Sequence, residues 1–372
     1  MRFTINREQL VKALGPVSKA VPQKVELPIL ANVKIELNDK GLEITGSDSN
    51  MNIRVTVPYK INDVDVIRNY QYGAVLIGSK ILLEVVRRME GDEVSFELID
   101  GTILRLDDGR SNFKLNSISA EEYPEIDLNP AGNVFSIRGE DLLSLVEQTA
   151  FAASTKEARP VLAAVNLEAN NHVLTATATD TARLARKRIE IENDVHFSVN
   201  VPAKKFLDIV HSFEGAEMIE VSISDKKAQF AFNNTIISTR LTNGEYPNTR
   251  NIVPKVFNYY LHVNSKEFIN AMERVSILSS DRDGVIKLLM SDESVEIISR
   301  SATMGSANEK INMYQFEGDR FEISFRASFV SDAIKALRSE DVTICFIGEM
   351  KPFVVKNQDD QTTDMLVTPL RS

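Results

Sequence analysis

The chain has 372 residues, with 43 Lys and Arg against 53 Asp and Glu, and a formal net charge of −10. This balance argues against a general nucleic-acid binder, although not against a protein that gathers its cations on one surface. The only cysteine, Cys345, excludes an intrachain disulfide and favours a reducing cytoplasm. The N-terminus lacks the apolar run of a secretion signal, and no apolar stretch is long enough to span a membrane.

One sequence pattern occurs three times. The segment at 79–83 (SKILL) returns at 203–207 (AKKFL) and again at 327–330 (ASFV), so each step is 124 residues. This spacing is the length of a small domain and is too long for a solenoid repeat. The repetition therefore predicts three similar domains.

The predicted elements follow the same order in each repeat. A short strand (3–5, 135–137 and 261–263) leads into an amphipathic helix from residues 7, 139 and 265, and Asn6 and Ser265 are the predicted N-caps. Alternating strands follow, with hairpin turns at 38–41, 170–171 and 292–293, then the second helix and further strands.

The predicted fold class is α+β, with three tandem domains of two helices and about eight strands each. Linker-like composition places the domains at 1–128, 129–254 and 255–372. The helices should cover one face, which leaves strand edges free to join neighbouring domains into continuous antiparallel sheets.

The sequence carries no pattern typical of an active site. The four histidines are far apart, Cys345 lies in an apolar strand pattern, and the nucleotide-binding and nucleophile motifs are absent. The acidic pairs at 107–108 and 359–360 are predicted to be solvated hairpin tips. We therefore expect no catalytic residue, no metal and no cofactor.

Basic residues recur on the second helix of each repeat, as Arg87, Lys204, Lys335 and Arg338. A surface built from several such helices would attract phosphates without reading bases. Two other classes stay open on the residues alone. A repeat-built hydrolase or transferase would need convergent acid, base or metal groups, and an extracellular scaffold would usually carry a secretion signal.

Four segments together resemble the bacterial DNA polymerase III beta subunit family, the replicative sliding clamps. They are LPIL at 27–30, TDTARLA at 179–185, GEYP at 244–247 and TPLRS at 368–372. The resemblance covers the whole chain and implies a cytoplasmic, non-catalytic processivity factor. It implies a head-to-tail homodimer whose six domains form a ring, with helices inside and sheets outside, around duplex DNA of any sequence. DNA polymerase III alpha subunit, the clamp loader, other polymerases and repair proteins would dock through short hydrophobic peptides, with no membrane involved.

The resemblance places the partner-peptide groove between the second and third domains. Its residues are Leu162, Thr179, Thr181, Arg183, Leu184, Pro247, Ile252, Leu366, Val367, Thr368, Pro369, Leu370 and Arg371. Leucine, valine and proline suit an apolar groove, and Arg183 would add an oriented donor. The chain departs from the family pattern at Ala182, Asn251, Thr368 and Ser372; with Thr368 in place of a methionine the groove is expected to be less adaptable, and partner binding is still expected.

The resemblance also assigns a dimer interface and DNA contacts. Phe113 and Leu115 of the first domain would meet Ile277 and Leu278 of a second copy. Lys24 occupies a DNA-contact position of the family, and Lys156 joins the basic helix residues Arg87, Lys204, Lys335 and Arg338 on the DNA-facing side.

Overall fold

The computed structural model of the chain describes residues 1–21, 27–156, 158–213, 215–279, 284–312 and 314–371. Helices and strands of the first repeat follow the predicted order. They are β1 (Arg2–Asn6), α1 (Arg7–Ala20), β2 (Asn32–Asn38), β3 (Gly41–Ser47), β4 (Met51–Val57), β5 (Lys60–Ile61), β6 (Val64–Asp65), β7 (Ile67–Gln71), β8 (Gly73–Gly78), α2 (Ser79–Arg88), β9 (Glu93–Ile99), β10 (Ile103–Asp107) and β11 (Asn112–Asn116).

The second and third repeats keep this order with fewer small strands. The second repeat contains β12 (Asn133–Arg138), α3 (Gly139–Ala150), β13 (Ala164–Asn170), β14 (Val173–Thr179), β15 (Arg183–Glu190), β16 (Phe197–Pro202), α4 (Ala203–Val210), β17 (Met218–Ile223), β18 (Lys227–Phe232) and β19 (Thr235–Arg240). The third contains β20 (Tyr259–Asn264), α5 (Ser265–Ser276), β21 (Val285–Met290), β22 (Val295–Ser301), β23 (Gly305–Lys310), β24 (Tyr314–Glu317), β25 (Phe321–Arg326), α6 (Ala327–Leu337), β26 (Asp341–Phe346), β27 (Phe353–Lys356) and β28 (Thr363–Val367).

Asparagine side chains cap the starts of α1 and α5. Asn6 accepts a hydrogen bond from the backbone N–H of Gln9 at 3.1 Å, which confirms the predicted cap of α1. The predicted cap Ser265 is wrong by one residue. Asn264 accepts from the N–H of Glu267 at 3.2 Å, and Ser265 is the first helical residue. An amide side chain just before the first turn reaches the free N–H groups, so it takes the capping position.

Apolar positions at the predicted spacing form the core. In α1, Leu10, Leu14 and Val17 are fully buried, and the rings of Phe3 and Phe96 stack at 4.6 Å between centroids. Cys345 is buried as expected, and burial raises the pKa of its thiol to about 11. A thiol with that pKa stays protonated near neutral pH, so Cys345 acts as a core residue.

The chain forms two compact units, and the second repeat contributes to both. Unit 1 (1–139 and 212–241) holds a five-stranded sheet, β11-β10-β9-β1-β7, an eight-stranded sheet, β12-β17-β18-β19-β4-β3-β2-β8, and the hairpin β5-β6. Unit 2 (140–211 and 242–372) holds a nine-stranded sheet, β16-β13-β14-β15-β28-β27-β26-β20-β24, and a four-stranded sheet, β23-β22-β21-β25.

Strands from successive repeats pair within these sheets, as the sequence predicted. In unit 1, β4 of the first repeat pairs antiparallel with β19 of the second. In unit 2, β15 of the second repeat pairs antiparallel with β28 of the third. The same two positions of the repeat are joined each time, so one type of junction links the repeats.

Candidate functional site

The junction of β15 and β28 brings together most of the predicted groove. Leu184 lies opposite Leu366 and Arg183 lies opposite Val367. All three aliphatic side chains are at most 4% exposed. Leu184 and Leu366 point to the same face of the sheet and form an apolar floor there, whereas Val367, the next residue of β28, points to the opposite face with Arg183.

The chain after β28 stays attached to this floor. Both the N–H and the hydroxyl of Thr368 donate to the carbonyl of Ala182, at 2.9 and 2.8 Å. The N–H of Leu370 donates to the carbonyl of Ser324 at 2.7 Å. Pro369 and Leu370 are therefore held half-buried beside the junction, while Arg371 is exposed and Ser372 lies outside the described residues.

A second wall comes from the segment before the third repeat. The backbone N–H of Thr179 donates to the hydroxyl of Tyr246 at 3.0 Å, and Pro247 next to it is exposed. Burial raises the pKa of Tyr246 to about 12, so this hydroxyl stays neutral. Leu162 is buried in the short helix Pro160–Ala163.

Glycine is required where this wall meets that short helix. A Cβ on Gly244 would lie 2.8 Å from a methyl carbon of Val161, and the residue has a φ of +119°. Both observations exclude an ordinary side chain at this position.

Two further predicted groove residues, Thr181 and Ile252, lie on exposed turns of the same unit, and Ile252 is 46% exposed.

The guanidinium of Arg183 links the start of β15 to neighbouring elements through three hydrogen bonds. Its Nε donates to Asp180 at 3.1 Å, Nη1 to Asp332 at 2.6 Å and Nη2 to the carbonyl of Phe151 at 2.8 Å. The side chain is only 13% exposed. Because each nitrogen already donates to a protein acceptor, Arg183 mainly fixes α6 of the third repeat against β15 of the second.

Sequence reasoning missed the aromatic side of this site. The Arg183 guanidinium lies 4.5 Å from the ring centroid of Phe329, and that of Arg326 lies 4.6 Å from the same centroid. Phe329 is half-exposed on the first turn of α6. The sequence carried one signal for this cluster, since Arg326, Phe329 and Asp332 follow each other at the three-residue spacing of one helix face.

The equivalent junction in unit 1 has different chemistry. At the positions of Leu184 and Leu366 it carries Asn52 opposite Ser238, and the Asn52 amide donates to the Ser238 hydroxyl at 3.1 Å. A hydrogen-bonded polar pair offers no apolar floor to a hydrophobic guest. Of the two junctions between repeats in the described residues, the one between β15 and β28 therefore has the apolar composition predicted for the groove.

The residues predicted to form a dimer interface lie at exposed places of the two units. Phe113 is 36% exposed and Leu115 is half-buried, both on β11, the edge strand of the five-stranded sheet. Ile277, directly after α5, is 72% exposed, and Leu278 is half-buried.

The predicted DNA-facing residues divide into two groups. Arg87 on α2, Lys204 on α4 and Lys156 are exposed. Lys335 pairs with Glu273 at 3.0 Å, and Arg338 pairs with Glu147. These pairs partly neutralise both cations. Lys24 lies outside the described residues.

The part of the chain that the structure describes contains no cluster of three or more His, Cys, Asp or Glu side chains arranged to hold a metal ion. Within the same residues, no helix has the length and apolar character that crossing a membrane requires.

Three models of the DNA polymerase III beta subunit match the chain in order. The N-terminal domain matches residues 1–127, the central domain 136–248 and the C-terminal domain 250–371. The beta sliding clamp of Bacillus subtilis (strain 168) is 32% identical over 377 residues, covering 100% of both chains.

Solved structures agree with this match over the full length. The DNA polymerase sliding clamp from Bacillus subtilis has a TM-score of 0.95 and 31% identity, covering 100% of this chain and 99% of its own. The DNA polymerase III beta chain from Streptococcus pneumoniae has a TM-score of 0.95 and 30% identity, covering 100% of both chains. The chain therefore belongs to the DNA polymerase III beta subunit family, the sliding clamps, and consists of three tandem clamp domains.

Proposed function

We propose that two copies of this chain close head to tail into a ring around duplex DNA, in the cytoplasm, with domains at 1–128, 129–254 and 255–372. As a family member, the chain is a non-catalytic DNA sliding clamp of replication. The ring would hold a bound polymerase at its template, because tethering makes rebinding intramolecular.

The main support for the proposed dimer is that two strands, β23 and β11, each lie at the edge of a sheet. Two junctions inside the chain join equivalent strands, β4 with β19 and β15 with β28. The third repeat's equivalent of β4 and β15 is β23, and the first repeat's equivalent of β19 and β28 is β11. Each is the edge strand of its sheet. An exposed edge is normally covered, and two copies related head to tail would each complete the other's junction.

The in-chain junctions also predict the register of this third pairing. Asn52 lies opposite Ser238, and Leu184 lies opposite Leu366. The equivalent positions on β23 and β11 are Ser306 and Lys114. We therefore expect Ser306 of one copy to lie opposite Lys114 of the other.

A cysteine cross-link tests this arrangement. A Ser306→Cys, Lys114→Cys variant should form a covalent dimer under mild oxidation, since facing strand residues have the Cα spacing of a disulfide. Lys310→Cys with Lys114→Cys is the control, because Lys310 would lie four residues out of register. The native Cys345 is buried and should not compete. Equal cross-linking of both pairs, or none with either, would contradict the register.

Side-chain packing should support the same interface. Ile277 and Phe113 are exposed apolar residues in the single chain, and burying them across the junction would be favourable. Ile277→Ala with Leu278→Ala should give a monomer of 41.6 kDa by sedimentation, where the parent sediments at twice that mass. A stable dimer of this variant would contradict the assignment.

We propose that duplex DNA is held through phosphates only. Arg87, Lys156 and Lys204 are exposed, while Lys335 and Arg338 are each ion-paired with a carboxylate, which lowers their net attraction for phosphate. Contacts to phosphate carry no sequence information and weaken with salt. On the basis of the family resemblance, Lys24 is also proposed to contact the DNA phosphates.

The groove at the β15–β28 junction is proposed to bind short hydrophobic peptides. DNA polymerase III alpha subunit, the clamp loader, other polymerases and repair proteins are the expected partners. The floor of Leu184 and Leu366 offers apolar contact, and the half-buried Pro369 and Leu370 add an apolar side. A hydrophobic segment placed there would lose its water-exposed surface.

Removal of residues 369–372 tests the groove separately from the ring. The truncated chain should stay dimeric but lose binding of the polymerase alpha subunit in a pull-down, because Pro369 and Leu370 form one side of the groove. Loss of the dimer on truncation, or polymerase binding that is unchanged, would contradict this assignment.

A further inference from the structure

The segment 242–252, which we call the groove wall, has no helix or strand of its own in this fully described stretch. Most of its side chains are exposed, including those of the predicted groove residues Pro247 and Ile252. Thr249 is buried, with 7% of its surface exposed. A segment with so few buried contacts keeps its position only through the groups that tie it to the neighbouring sheet.

A cavity of about 720 Å³ lies between the groove wall and the nine-stranded sheet. Its lining is mainly polar and includes Asn166, Thr177, Arg186 and Asn200 on the sheet side and residues 244–250 of the wall. The wall therefore lacks the close apolar packing that fixes a buried segment. Individual hydrogen bonds decide where it lies.

Groups of the sheet anchor the groove wall at three successive positions. The side-chain amide of Asn200 donates to the carbonyl of Gly244 at 2.8 Å, and the hydroxyl of Tyr246 accepts from a strand N–H at 3.0 Å. The third anchor is Arg186, whose Nη2 donates to both the carbonyl and the hydroxyl of Thr249, at 2.7 Å each. This anchor is the one that lies between the two predicted groove residues of the wall.

Arg186 is itself held in place by the sheet. Its side chain is 9% exposed, its Nε donates to the hydroxyl of Thr177 at 3.4 Å, and its Nη1 lies 3.9 Å from Asp364 of β28. Arg186 follows Leu184 by two residues, so the two side chains share one face of β15 and are about 7 Å apart along the strand. One arginine thus connects the groove wall to the strand that carries the groove floor.

The equivalent arginine of the first repeat has no such connection. Arg54 occupies the position on β4 that Arg186 has on β15, and its Nε likewise donates to a threonine of the neighbouring strand, Thr45, at 3.1 Å. Within the described residues, Arg54 makes no hydrogen bond to the segment 117–124, which precedes the second repeat as the wall precedes the third. The bond to a wall therefore occurs at the junction that has the apolar floor.

We propose that Arg186 is a positioning residue of the peptide groove, an inference that rests on the proposed peptide-binding function. By fixing Thr249, it holds the groove wall at the distance from the floor that a hydrophobic peptide requires. Its Nε and Nη2 already donate to protein acceptors, so it acts through the wall and not as a contact of the peptide. The ion pair of Arg250 with Glu168 cannot replace it, because an Arg250 side chain that is 75% exposed contributes little.

Hydrogen exchange of the full chain, read by mass spectrometry, tests whether Arg186 fixes the wall. Arg186→Met should speed exchange in the segment 244–252 by about tenfold and leave β13, β14 and β15 unchanged, because the wall loses an anchor while the strands keep their ladder. Arg54→Met is the matched control and should leave the wall unchanged. A merely structural role would instead speed exchange in the strands as well.

Titration with the DNA polymerase III alpha subunit tests the consequence for the groove. Arg186→Met should weaken binding at least about tenfold, and Arg54→Met should leave it unchanged. Arg186→Lys should restore most of the binding, because a single nitrogen makes both bonds to Thr249 and a lysine ammonium can donate both. If thermal unfolding shows that Arg186→Met is not folded, Thr249→Val repeats both measurements, with a smaller loss because the carbonyl bond remains.

The outcomes separate this inference from the proposed function. If the parent binds the alpha subunit and Arg186→Met binds it equally well, or leaves exchange of 244–252 unchanged, the inference alone is overturned. Binding that is lost to the same extent in Arg186→Lys would also overturn it. If the parent itself does not bind the alpha subunit, the proposed function fails and the inference falls with it.

Discussion

The carboxylate of Asp108 links two segments of the first repeat through four backbone hydrogen bonds. The sequence predicted a solvated hairpin tip at 107–108, and Asp108 does lie, half-buried, in the turn between β10 and β11. Its oxygens accept from the backbone N–H groups of Glu90, Gly91, Arg110 and Ser111, at 2.6 to 3.1 Å. These bonds tie the hairpin before β11 to the end of α2. The bond from Ser111, followed by that from Gly91, lowers the pKa of Asp108 to about 2.

The depressed pKa predicts an acid-dependent loss of stability. A carboxyl whose pKa is lower in the folded state stabilises the fold above its unfolded pKa, and this contribution disappears as pH falls toward 2. Asp108→Asn should therefore cost about 1 kcal/mol of unfolding free energy at pH 7, with the difference shrinking below pH 4. Denaturant unfolding at several pH values measures it. Asp292→Asn, at an exposed turn, is the control, and a pH-independent difference for Asp108→Asn would contradict the account.

At the scale of elements, sequence periodicity predicted the helices and the hairpins well. Those signals are local, since burial at helical or alternating spacing depends on neighbouring residues only. The β5-β6 hairpin and β7 were not predicted, because short exposed strands carry little alternation. The hydrogen bond from Arg183 to Asp332 joins residues 149 positions apart in the sequence. No local pattern reveals it, and the groove residues themselves came from the family resemblance.

The corrected cap of α5 gives a matched pair of variants. Asn264→Ala should lower the unfolding free energy by about 1 kcal/mol, because the N–H of Glu267 loses its acceptor. Ser265→Ala should change it far less, since Ser265 is the first helical residue and not the cap. Chemical denaturation of both variants measures the difference. A larger loss for Ser265→Ala would restore the original prediction from sequence.

At the scale of the whole molecule, the sequence repetition bears on how two copies assemble, and the net charge bears on how they bind DNA. The repeated junction explains how one chain can leave two complementary edges, β11 and β23. The net charge of −10 is compatible with DNA binding only if cations such as Arg87 and Lys204 lie on the surface that meets the duplex. The acidic remainder would then repel DNA from other faces.

Charge reversal at those helices tests this distribution. Arg87→Glu with Lys204→Glu should weaken the already weak binding of duplex DNA and reduce its dependence on salt, because fewer phosphates are neutralised. Titration at several salt concentrations measures both effects. Lys351→Glu, at an exposed turn of the third repeat, is the control, and equal effects of the two variants would contradict a localised DNA-facing surface.

The central claim is that the protein holds DNA by enclosing it. The most direct measurement is retention on DNA by gel filtration, after a clamp loader and ATP have placed the protein on a nicked circle. We predict that it stays on the circle and is lost once the circle is cut to a line. The cross-linked Ser306→Cys, Lys114→Cys ring should fail to load. Equal retention on circular and linear DNA would contradict the account.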